Sequence, residues 1–131
     1  MSDVAWEDSK FFIKTEFDCS HTGDNEMKQV FIDNLNVLRE NYGKAMLISS
    51  GYRSPEHPIE ARKKNGGGMH TTGLACDVLV SGKDAHHFLK CVLDHGCWTG
   101  IGVSQKGDRS SRFIHIDMGT NTYTRPTIWS Y

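Results

Sequence analysis

The sequence predicts an α+β domain, a small and mostly antiparallel sheet of about four strands with helices packed on one face. Three observations predict it. One long stretch and one shorter stretch repeat apolar residues at helical spacing. About four short β-rich runs stand between glycine-containing turns, and a Gly-Asp turn joins the last two of them. With 131 residues the chain suits one domain, 1–131, and is too short for two good ones. Its 37% hydrophobic fraction can supply one core.

The first twenty residues read as an irregular arm that Phe11, Phe12, Ile13 and Phe17 could pin to the core. Asp24 or Asn25 can cap a helix over about residues 25–42, in which Met27, Val30, Phe31, Leu35, Leu38 and Tyr42 recur and Gly43 stops the chain. Residues 45–50 read as a strand. A Ser/Gly/Pro-rich turn and a short helix over 59–64 follow, ended by Gly66-Gly67-Gly68. Residues 75–80 form a second strand. Ser81 and Asp84 resemble a capping box before a second amphipathic helix carrying Ala85, Phe88, Leu89 and Val92, which Gly96 stops. Residues 101–105 and 112–118 read as two more strands around a turn holding Gly107 and Asp108. The tail is polar and aromatic, and Trp98, Trp129 and Tyr131 could pack the core edge or line a groove.

A net charge of −1 argues against a nucleic-acid partner or a membrane-surface role. No apolar run is long enough for membrane insertion. The first residues lack a secretory signal, so cytoplasmic synthesis is expected, with Cys19, Cys76, Cys91 and Cys97 reduced. Arg62, Lys63 and Lys64 read as a solvated helix face.

The chemistry gathers in two segments. In the strand 112–118, alternation puts Ile114, Ile116 and Met118 on a core face and Phe113, His115 and Asp117 on the other. In His70-Thr71-Thr72-Gly73-Leu74-Ala75-Cys76-Asp77, a carboxylate lies inside an apolar strand, which is costly unless it is paired or metal-bound. An isolated His or Asp is more often structural than a ligand. His70, Asp77 and His115 together make a three-ligand site with a fourth position open, the arrangement of catalytic zinc.

The stretches Ser49-Ser50-Gly51-Tyr52-Arg53, His70-x-x-Gly73-x-Ala75-x-Asp77 and Phe113-Ile114-His115-Ile116-Asp117 resemble the M15 peptidase family. These are zinc D-Ala-D-Ala carboxypeptidases, dipeptidases and phage endolysin peptidases that cut peptidoglycan stem peptides. The arm from Phe12 to Cys19 resembles the family's phage-associated branch. The resemblance implies a hedgehog/D-Ala-D-Ala-peptidase-like fold and one Zn2+ held by His70, Asp77 and His115. It also implies an Arg53 that contacts the substrate carbonyl or carboxylate. Tyr52 beside it and His57 in the same loop become candidate substrate contacts; a turn-stabilising salt bridge is the plainer role for Arg53.

The chain departs from the family pattern at Gly68, where many relatives carry Ser, and at Arg112, where several branches carry an acid three residues before the last His. Asp117 is then the candidate general base, with Asp108 a weaker one, and orienting a ligand imidazole is the alternative role for Asp117. The expected function is a monomeric zinc peptidase acting on peptidoglycan peptides, of the endolysin type, reaching the wall on phage lysis. A D-Ala-D-Ala carboxypeptidase or dipeptidase, and a non-catalytic zinc-bearing domain, are the alternatives. His86 and His87 read as solvated on a helix and His95 as a helix C-terminal cation, while Cys19 and His21 with Cys91 or Cys97 could make a second metal site only at a non-standard spacing.

Overall fold

The computed structural model describes residues 4–63 and 67–131. Five strands form one sheet: β1 (Leu47–Ser50), β2 (Ala75–Leu79), β3 (Gly100–Ser104), β4 (Phe113–Asp117) and β5 (Thr127–Ser130), in the order β1-β2-β4-β3-β5. Every pairing is antiparallel except β3 with β5. Two long helices, α1 (Gln29–Tyr42) and α3 (Gly82–His95), and a single turn of helix, α2 (Pro58–Ala61), complete the regular structure with several 3-10 turns.

Periodicity explains the layers. Phe31, Leu35 and Leu38 from α1, and Phe88 and Val92 from α3, join Cys76, Val78, Ile114 and Ile116 in one buried core. The alternate residues of β2 and β4 are thereby left on the opposite face, where the site lies. The arm is pinned by Phe12 and Phe17, whose rings meet edge to face at 5.6 Å. Ile13 is 63% exposed and takes no part in the pinning.

Other local signals resolve differently from the sequence reading. The first long helix begins at Gln29, because Asn25 is used elsewhere: its side chain donates to the Lys14 carbonyl and Asp18, and accepts from the Met27 N–H. Ser81 precedes α3 without a side-chain cap, and Asp84 pairs with Lys44 instead. The short helix ends at Ala61; Lys64 and Gly66 lie outside the described residues. The tail supplies the fifth strand. Gly43 and Gly96 stop their helices in the left-handed conformation, as their positions predict. No helix among the described residues is long and apolar enough to cross a membrane.

Candidate metal centre and cleft

One row of residues crosses the open face of the sheet. Register sets Asp77 on β2 opposite His115 on β4, His115 opposite Gly102 on β3, and Gly102 beside Trp129 on β5. Residues directly opposed in an antiparallel pair share a face and stand within side-chain reach. His115 Nδ1 lies 2.9 Å from Asp77 Oδ1.

The third group arrives from a 3-10 turn, Met69–Thr72. Thr71 and Thr72 bind back to the Gly68 and Met69 carbonyls, and Gly73 closes the turn at φ 77. A side chain at Gly73 would run into the Glu26 carbonyl, so the glycine is required both by conformation and by space. His70 Nδ1 donates to the Gly51 carbonyl at 2.8 Å, which leaves Nε2 turned toward Asp77 Oδ1, 3.4 Å away. Gly51 itself is needed where the chain passes Phe17: a Cβ there would stand 2.6 Å from the Phe17 Cα.

His70, Asp77 and His115 are all buried, and one donor atom of each lies within 4.8 Å of the others. Burial works to raise the Asp77 carboxyl, but hydrogen bonds from His115 and His70 outweigh it and hold the group well below the usual carboxylate range. Burial works to lower His115, and its contacts with Asp117 and Asp77 outweigh that and raise it. Two imidazoles and one ionised carboxylate suit a divalent transition metal with a position left open, the donor set of catalytic zinc.

A cleft of about 420 Å³ opens over this row, within the range of small-ligand sites. Arg53, Lys63 and Ile59 stand along one part of its lining, and Phe113, Trp129 and Tyr131 along another. Arg53 does two jobs. It binds Glu60 at 3.0 Å and lies 3.7 Å from Asp77 Oδ2. The Glu60 carboxylate, 0% exposed, also accepts from the Gly68 N–H at 2.7 Å and pairs with Lys63. Burial would raise its pKa, and these three contacts bring it below the ordinary value.

The other candidates fall outside the cleft. Tyr52 is buried in the core cluster, its N–H donating to the Phe17 carbonyl. His57 caps α2, accepting from the Ile59 N–H, with its ring against His21. Asp108 is exposed ahead of a 3-10 turn, and Arg112 reaches back to the Gly107 carbonyl. Asp117 stands behind His115 with 0% exposure. It contacts His115 Nε2 at 2.7 Å and accepts from the Gly119 N–H and from Nε and a terminal nitrogen of Arg125. This enclosed carboxylate, its pKa pulled low against burial by His115 and Arg125, is not among the residues that line the cleft. Among the described lining residues Asp77 is the one carboxylate.

No motif or period in the sequence marks Glu60 or Arg125, and the sequence alone does not choose between core edge and groove for Trp129 and Tyr131. A signal for the last two was present: Thr127, Trp129 and Tyr131 alternate with Ile128 and Ser130 in a strand-like tail.

A family model described as Peptidase M15 matches residues 10–117. No curated protein and no solved structure matches the chain. The matched span contains Arg53 and all three converging side chains, and it covers most of the 131 residues. The chain therefore belongs to the peptidase M15 family.

Proposed function

We propose that this protein is a zinc peptidase of the endolysin type, hydrolysing peptide bonds in the stem or cross-link peptides of bacterial peptidoglycan and reaching them on phage lysis. The observation that carries the reading is the cross-strand pair Asp77–His115 with His70 Nε2 turned toward it at the floor of an open cleft. Zinc held by these three would supply Lewis-acid chemistry, polarising a carbonyl and making water nucleophilic near neutral pH.

The chain's own groups bind the substrate and position the ligands. Arg53, anchored by Glu60, presents a fixed guanidinium at the cleft edge, able to hold a peptide carbonyl and to stabilise negative charge developing on its oxygen. The Gly51 carbonyl and Asp117 hold the two imidazoles by their outer nitrogens. Phe113, Trp129 and Tyr131 give part of the cleft an aromatic lining.

A digest of defined peptidoglycan, read by mass spectrometry with and without a chelator, tests this. Cleaved stems that disappear with chelation are expected. Zinc-loaded protein that releases nothing across several wall types would overturn the reading and leave a zinc-bearing binding domain. A second reading, removal of terminal D-Ala from D-Ala-D-Ala ends, is favoured by the pair Arg53 and Lys63, which suits a free carboxylate. Its product would be free D-Ala rather than cut stems.

A further inference from the structure

The family match ends at residue 117, yet three of the residues lining the cleft come from beyond it: Arg125, Trp129 and Tyr131. They belong to the tail whose β5 runs parallel to β3 at the sheet edge. For tail side chains to touch β4 they must cross β3, and β3 offers no side chain at the two crossing points.

A Cβ on Gly100 would overlap both the Asp117 carboxylate and Arg125 Nε. A Cβ on Gly102 would stand 2.7 Å from the Trp129 indole. Through these gaps Arg125 reaches Asp117, Nε to Oδ1 at 3.0 Å and a terminal nitrogen to Oδ2 at 2.7 Å. That is the two-pronged arginine–carboxylate contact, which fixes orientation as well as charge. Trp129 lies over the Arg125 guanidinium at 4.9 Å and against the His115 ring at 5.2 Å. The chain bends sharply to bring this about: Thr124, a β-branched residue, is held in the left-handed region at φ 57. Such a conformation persists only where the surroundings enforce it.

We propose that Arg125 is a positioning residue of the metal centre: it clamps the Asp117 carboxylate so that Asp117 holds His115 by Nε2 and turns Nδ1 toward Asp77 and the metal position. The inference rests on the reading that His70, Asp77 and His115 bind a metal. It makes the tail part of the site although the family match leaves it out. Removing the clamp frees Asp117 to rotate and leaves the imbalance of a buried charge beside His115, so the ligand geometry loosens while His115 itself remains.

The test is zinc affinity, by competition with a chromophoric chelator, together with the absorption spectrum of the cobalt-substituted protein. Both are measured well below the unfolding temperature for wild type, Arg125→Ala and Arg125→Lys. Arg125→Ala is expected to weaken zinc by about 10- to 100-fold and to change the cobalt spectrum. Arg125→Lys, which restores charge without the fork, is expected to recover part of the loss. Should Arg125→Ala not fold, Arg125→Gln is read in the same way, since it keeps the stem and a hydrogen-bonding head. Folded Arg125 variants with wild-type zinc affinity and an unchanged cobalt spectrum overturn the inference. A wild-type protein that takes up no zinc removes the metal reading itself and the inference with it.

Discussion

Two residues show how charge is managed beside the metal position. Glu60 is a fully buried carboxylate serving Arg53, Lys63 and the Gly68 N–H at once. Removing one side of a buried pair leaves the other uncompensated. Breaking a buried pair costs about 3–5 kcal/mol, and because Lys63 is partly exposed, Glu60→Ala is expected at the low end, about 3 kcal/mol in urea unfolding. The same variant should lower kcat as Arg53 loses its anchor. His115 is the second case. Its pKa is raised above the ordinary value of about 6.5 in the metal-free protein, because Asp117 and Asp77 outweigh the effect of burial. Its contribution to metal-free stability is therefore full below about 6.5 and is lost as pH rises through the raised value. Zinc requires the imidazole without that proton. Zinc affinity measured from pH 5 to 8 should rise about tenfold per unit while the proton is being displaced, and flatten above the raised value. Asp77, held low, stays charged across the whole window.

Elements were legible in the sequence wherever period and punctuation agreed. The alternation of Ile114 and Ile116 against His115 and Asp117 put the right residues on the right faces of β4, and Gly43 and Gly96 marked the ends of α1 and α3. Capping signals were less reliable, because Asn25 and Ser81 have other partners or none, and partners are set by tertiary contacts that no local pattern encodes. The fifth strand was missed since it is short and follows a stretch with no periodic lead-in. The three metal-ligand candidates were named from a spaced motif, but what brings them together is register. Nothing in the order of residues states that Asp77 stands opposite His115, or that Gly102 leaves room for Trp129. The turn before β2 offers a test at this scale. Gly73→Ala places a side chain at φ 77 against the Glu26 carbonyl, so a loss of more than about 1 kcal/mol is expected by chemical denaturation. Zinc affinity should fall with it, because Gly73 ends the turn that carries His70.

The molecule as a whole is a helix-covered sheet with its polar chemistry gathered on the uncovered face. His115 stands 38 residues beyond Asp77 in sequence and joins His70 and Asp77 only in the folded chain, so a metal held by all three would favour the native state over the unfolded one. Zinc at a hundred times its Kd should add about 2.7 kcal/mol to stability. For a chain of this length that corresponds to a rise in Tm on the order of 10 °C, reversed by chelation and read by calorimetry. A chelator-insensitive Tm in protein that has demonstrably lost zinc would show that the three side chains do not form the site. The gap at Gly102 has a further consequence, for how this sequence can drift. The empty position and the indole that fills it are one steric unit shared by two strands, so neither is free to change alone. Ala at 102 and a smaller ring at 129 should each be harmful singly and much less so together. That sign of epistasis would appear as a coupling free energy in a double-mutant cycle, and across relatives as paired substitutions at two sites 27 positions apart.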